Sequence, residues 1–263
     1  MPIADTGRLK IYYETHGRGD PVLMIMGLGA TRHWWYKQVE ALSRDFQVTV
    51  FDNRGVGETE RPKAAWTLGD MALDTAALMD HLGIDSAHIV GASMGGMISQ
   101  HFALEHPERV RKLVLACTTP AIGFKPPDPA ASSLLTPRPG IGREQAARDS
   151  LKIMFVPEFI EQGGEEISRV MDISLKWMAP ARSLMNQIAA VMQHDTRHRL
   201  KDVFHPTMVI TGAADILIPP EHSDLLAELI PGARLVKIPN AGHGFFIEAA
   251  PEANQHLLEF LRD

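Results

Sequence analysis

Ser93, Asp215 and His243 have the side-chain types that acyl-group chemistry uses. Ser93 is the centre of Gly91-Ala92-Ser93-Met94-Gly95, a G-x-S-x-G pattern between the apolar run Ala87–Val90 and the helix-like run Met97–Leu104. A serine at the tip of a tight strand-to-helix turn needs small neighbours two residues away on each side. The start of the helix also supplies the Met94 N–H and partial positive charge, which suit an oxygen that becomes negative. A serine hydroxyl is a weak nucleophile at neutral pH, so it needs a base, and the base needs an orienting carboxylate. His243 stands between two glycines in Ala241-Gly242-His243-Gly244, and Asp215 closes Gly212-Ala213-Ala214-Asp215. Ser, then Asp, then His is the order expected around an elbow serine. Plainer readings exist for each: a helix cap for Ser93, a cap or turn for Asp215, a structural role for His243. Asp52 and Asp80 are rival carboxylates, but Asp52 precedes the serine and Asp80 falls inside a helical pattern.

The elements that must carry these residues are legible as periodicity. Leu9–Glu14 alternates and reads as a strand at a sheet edge, whereas Val22–Met26 is a continuous apolar run ended by Gly27-Leu28-Gly29, as a strand buried on both faces would be. Trp34–Leu42 and Leu68–Leu82 read as helices, the second stopped by Gly83. Phe46–Phe51 and Lys112–Cys117 are further strands. Pro107 ends the helix after Ser93. Strands alternating with helices predict a mostly parallel central sheet with helices on both faces. In such sheets chemistry collects at the carboxyl ends of the strands. After Thr119-Pro120 the alternation stops at a proline-rich stretch (Pro126, Pro127, Pro129, Pro137, Pro139), followed by helical patterns over Gly142–Phe155, Glu165–Trp177 and Ala181–His194. It resumes with strand Thr207–Thr211, helix Glu221–Leu229, strand Arg234–Ile238 and helix Pro251–Leu261. The expected organisation is a core of residues 1–118 and 205–263, with residues 119–204 inserted as a helical lid over the site.

Composition narrows the function classes. The chain is 45% hydrophobic and 22% charged, the balance of a soluble globular protein. A net charge of -6 argues against nucleic acid or an anionic membrane as partner. The single cysteine, Cys117, lies in an apolar run and reads as a buried thiol. No basic-then-apolar leader follows Met1, and no apolar run reaches membrane-spanning length, so the expected location is cytoplasmic. The 12 histidines form neither H-E-x-x-H nor a comparable ligand cluster; His194 and His198 are four apart and read as a solvated helix face. No third glycine of a dinucleotide fingerprint follows Gly27-Leu28-Gly29, so no cofactor and no metal are expected.

The combined motifs resemble those of the α/β-hydrolase superfamily over nearly the whole chain outside the insertion. The resemblance implies Ser93 as nucleophile, Asp215 as acid and His243 as base. It also implies a structural role for Asp52-Asn53-Arg54-Gly55-Val56-Gly57, which is similar to the family's D-x-R-G-x-G segment. The Gly27-Leu28-Gly29 loop is similar to the oxyanion loop, which implies the Leu28 and Met94 N–H groups as the oxyanion hole. One departure is Met26, where many relatives carry His; it bears on how the loop is braced.

The insertion is rich in Met and large apolar residues, which suits a deformable apolar pocket. Gly27, Trp34, Met154, Trp177 and Met185 are candidate substrate-binding residues, with core packing the other reading for Trp34. The expected substrate is a small, largely apolar ester or lactone, and the chain resembles the lidded esterases and lactonases, including enol-lactonase-like and acyl-homoserine-lactone-cleaving members. The same resemblance also admits cofactor-free haloperoxidases or perhydrolases, carbon–carbon bond hydrolases, and a ligand-binding receptor on the same fold. The expected assembly is a monomer or homodimer.

Overall fold

A computed structural model of the chain describes residues 2–135 and 140–263, so Met1, Pro137 and Pro139 lie outside the described residues. Eight strands form one sheet: β1 (Ile3–Asp5), β2 (Lys10–His16), β3 (Asp20–Ile25), β4 (Phe46–Phe51), β5 (Ala87–Ala92), β6 (Val110–Ala116), β7 (Thr207–Gly212) and β8 (Arg234–Ile238). Their order across the sheet is β1-β2-β4-β3-β5-β6-β7-β8. The two N-terminal strands pair antiparallel, and every pairing from β4 to β8 is parallel. The expected edge strand, β2, is therefore second from the edge. The three-residue β1 takes the edge, and it is too short to announce itself by alternation.

The continuous apolar runs become central strands because both faces of the sheet are covered. On β3, Val22 and Met24 pack into one core with Leu42, Phe245 and Leu257, while Leu23 and Ile25 pack into the other with Met71, Leu78 and Phe102. All six residues of β5 are buried. The helices doing the covering are α1 (Tyr36–Leu42), α2 (Leu68–Leu82), α3 (Met94–Glu105) and, later in the chain, α9 (Glu221–Leu229), α10 (Phe245–Glu248) and α11 (Ala250–Arg262). Helix α2 begins in a reciprocal Thr67–Asp70 capping box and ends at Gly83 in the left-handed conformation, as its sequence signals predict.

Among the described residues, five α-helices stand between β6 and β7: α4 (Pro129–Leu135), α5 (Arg143–Met154), α6 (Pro157–Gln162), α7 (Gly164–Lys176) and α8 (Ala181–Val191). The short α4 and α6, like α10, carry too few turns for a periodic signal. Among the described residues no helix is long and apolar enough to cross a membrane. Helix α8 stops at Val191, so His194 and His198 do not share a helix face, and His194 is buried rather than solvated. It lies where the chain leaves and re-enters the sheet, where Ala121 and Asp195 form a bridge and the His194 Nε2 lies 3.0 Å from the Thr119 carbonyl.

Candidate active site

Parallel strands bring their carboxyl ends to one edge, and Ser93, Asp215 and His243 follow β5, β7 and β8 there. Ser93 sits between β5 and α3 with φ 56 and ψ −123, a backbone conformation that costs a non-glycine residue about 1–3 kcal/mol. The turn is closed by close backbone approach. A methyl on Gly95 would overlap the Ile25 carbonyl, and one on Gly91 would overlap both Ser99 Oγ and the Gly95 carbonyl. Thr118 Oγ1 donates to the Ser93 carbonyl at 2.7 Å, and the Ser93 N–H donates to the Ala116 carbonyl at 2.9 Å, so the neighbouring strand's exit holds the turn from below.

Asp215 is fixed from three sides. Its Oδ1 accepts the Leu217 and Ile218 N–H groups, each at 2.9 Å, and its Oδ2 faces His243 Nδ1 at 2.7 Å. A carboxylate only accepts, so Nδ1 carries the hydrogen and Nε2 is left with a lone pair. Both side chains are buried, at 3% and 2% exposure, while Ser93 is half-buried. Cys117 lies beneath the site. Burial raises its thiol well above the usual range, the Asp215 charge raises it further, and the Ser93 N–H opposes this. It is a buried thiol, as its apolar run indicates.

Gly27 passes so close to the serine that a methyl on it would lie 3.0 Å from Ser93 Cβ. Its loop is braced without the histidine that Met26 replaces. Asn53 Nδ2 donates to the Met26 carbonyl at 2.7 Å, and Gln187 Oε1, on α8, accepts the Gly29 N–H at 2.8 Å. Gln187 is fully buried, and its Nε2 donates to the Arg54 carbonyl at 3.2 Å. Further along, Asp52 accepts the Arg32 backbone N–H at 2.9 Å and the Arg32 guanidinium at 2.6 Å. Burial holds the Asp52 carboxyl above its usual value, and these donors offset only part of that rise. The Arg54 guanidinium pairs with both Asp74 oxygens, each at 2.6 Å, tying the same segment to α2. Leu28 is 39% exposed and Met94 is buried. As the first residue of α3, Met94 offers an N–H outside the helix's own ladder.

The other expected binding residues divide. Trp34 and Met154 are half-buried and pack against the core on the α1 face. Trp177 stacks on His33 with ring centroids 4.5 Å apart, joining the end of α7 to the segment before α1. Met185 is 63% exposed, off the α8 face that buries Ser183, Gln187 and Ala190, and the structure does not bring it into these contacts. The Asp52–Gly57 segment has the structural role expected of it, through Asn53 among others; sequence reasoning missed Thr118, Gln187 and Glu248, whose side chains serve backbone groups elsewhere in the chain. Glu248 alone had a positional hint, five residues beyond His243.

Comparison with known proteins accords with this geometry. A family model described as "alpha/beta hydrolase fold" matches residues 20–150 and 159–250. The chain is 31% identical over 264 residues to a protein of Azorhizobium caulinodans named "Putative carbamate hydrolase RutD", covering 99% of this chain and 98% of the relative. Among solved structures, the enol-lactonase from Burkholderia xenovorans superposes with a TM-score of 0.87 at 27% identity, covering 100% of both chains. An N-acyl homoserine lactone degrading enzyme superposes with a TM-score of 0.83 at 26% identity, covering 98% of this chain and 100% of the other. A serine at a strained strand-to-helix turn, a buried Asp–His pair on later strand ends and these matches lead to one conclusion: the chain belongs to the α/β-hydrolase family.

Proposed function

We propose that this α/β hydrolase cleaves a small, largely apolar carboxylic ester or lactone through an acyl-enzyme on Ser93. The observation that carries the reading is the Asp215–His243 hydrogen bond at 2.7 Å, which leaves His243 Nε2 as an acceptor on the sheet edge that also carries Ser93. His243 takes the Ser93 proton as Oγ attacks the carbonyl carbon, and Asp215 stabilises the imidazolium that forms. The Leu28 and Met94 N–H groups hold the oxyanion, and the start of α3 adds favourable charge. The tetrahedral intermediate collapses as His243 gives its proton to the leaving alkoxide. Water, deprotonated by the same histidine, then attacks the acyl-enzyme, and the proton returns to Ser93 Oγ as the acid leaves. The helices inserted between β6 and β7 act as the cap over this chemistry. Their Met-rich composition supports an apolar acyl or alkyl group.

The name of the Azorhizobium caulinodans relative favours a second reading, carbamate cleavage by the same residues. The two differ on the acyl side of the carbonyl, where a carbamate carries nitrogen and leaves a carbamoyl-enzyme in place of the acyl-enzyme, not in the residues required.

The test is a hydrolysis panel: p-nitrophenyl esters of graded chain length, several lactones, and carbamates matched to the esters. Labelling by a fluorophosphonate probe runs alongside. Ester or lactone turnover with probe adduct on Ser93 is the expected result, and preferential carbamate turnover selects the second reading. A Ser93→Ala protein that hydrolyses esters at the wild-type rate overturns both.

A further inference from the structure

Glu248 ends α10, five residues after His243, and its carboxylate turns back toward the chain. Oε2 accepts the N–H of Gly242 at 2.6 Å. Oε1 accepts the N–H of Val156 at 2.8 Å, in the junction between α5 and α6. On the other side of the histidine, the Gly244 N–H donates to the Met154 carbonyl at 2.6 Å. Both neighbours of His243 are thus tied to Met154–Val156, one directly and one through Glu248. The contact has no slack: a methyl on Gly242 would lie 2.8 Å from the Met154 carbonyl oxygen, and one on Gly244 would run into the Phe155 ring.

We infer that Glu248 is a positioning residue for His243, clasping the histidine loop and the inserted helices into one unit. The inference rests on the reading of His243 as the catalytic base. Its chemistry is that of a carboxylate acting as a double acceptor. Two backbone donors from separate parts of the chain converge on it, one at each oxygen, and a carboxylate presents an acceptor to both. Glutamine would meet one donor with its carbonyl and oppose the other with its own NH₂. The histidine's position then depends on the inserted helices being seated. Small displacements of a catalytic base are costly, about a hundredfold in rate for ~1 Å.

The clasp can be opened from either side. Glu248→Gln spoils it at the carboxylate. Val156→Pro removes the donor on the far side, where the backbone already suits proline: Val156 has φ −67, and the preceding Phe155 is extended at φ −127, ψ 153. Hydrogen exchange is measured by mass spectrometry on the wild type, both single variants and the double variant, together with the rate of fluorophosphonate labelling of Ser93. Each single variant should speed exchange across residues 241–246 about tenfold or more and slow labelling about tenfold to a hundredfold. The double variant should be no slower than the slower single, because both changes break one clasp. With a turnover substrate, the loss should fall on kcat with KM within about twofold. Unchanged exchange over 241–246 in Glu248→Gln, or labelling losses that multiply in the double variant, overturns the clasp. If wild-type Ser93 does not label at all, the hydrolase reading fails, and the exchange measurement still decides whether Glu248 joins the two segments.

Discussion

At the scale of single residues, the site is a set of oriented lone pairs and hydrogens. Asp215 spends one oxygen on the Leu217 and Ile218 N–H groups and the other on His243, so its carboxylate cannot rotate away from the imidazole. Asp215→Asn should keep the fold and lose about four orders of magnitude in turnover, because an amide can turn its NH₂ toward Nδ1 and favour the wrong tautomer. Ser93→Ala should lose roughly 10⁴–10⁶-fold. Steady-state hydrolysis and melting curves on the same preparations check both. These three residues are legible in the chain because each lies in a loop after an apolar run and because their order is diagnostic. Gln187 and Glu248 are not. The Gln187–Gly29 bond spans 158 residues, and a glutamine on a helical pattern carries no mark of the carbonyl and N–H it will serve.

At the scale of elements, the nucleophile turn is set by backbone packing rather than by side chains. Gly95→Ala puts a methyl into the Ile25 carbonyl, backbone against backbone, with no flexible neighbour to yield. The cost should exceed the ~1–3 kcal/mol usual for overpacking, and soluble yield and melting temperature should show it. Helix α8 braces the Gly27–Gly29 loop through Gln187. Gln187→Leu would leave the half-buried Gly29 N–H and the buried Arg54 carbonyl without their partner, costing about 1–3 kcal/mol. Urea denaturation measures that loss, and turnover should fall with it as the loop loosens. Helices long enough for two or more turns of periodicity are legible: α2 and α9 begin and end where their patterns do, and so does the strand β8, an apolar alternation between two turns. The short β1, α4, α6 and α10 are not, since each holds at most two helical turns or three strand residues and none is marked off by an apolar run between turn signals.

At the scale of the whole molecule, two apolar cores sandwich the sheet, and buried histidines within it make stability depend on pH. Burial lowers His88 and His194 to about 4 from 6.5, with Lys112 and Arg111 adding to the effect at His88, while the Thr119 carbonyl opposes it at His194. The unfolded chain binds these protons near pH 6.5 and the folded chain only near 4, so the unfolded state gains protons first as pH falls. Stability should therefore be intact above about pH 6.5 and decline toward pH 4, by at most ~1.4 kcal/mol per pH unit for each histidine. Chemical denaturation between pH 4.5 and 7.5 measures the slope, and His88→Gln should reduce it. Periodicity, glycine spacing and order along the chain are local properties, so the alternation of strands and helices and the order Ser93, Asp215, His243 can be read from the chain alone. Only the tertiary structure decided that α8 and the Met154–Val156 junction hold the loops around the serine and histidine. Those bonds join backbone groups to side chains far along the chain. Such a bond is chosen by which polar groups are left without water once the core has packed, and that is decided only when the whole chain has folded.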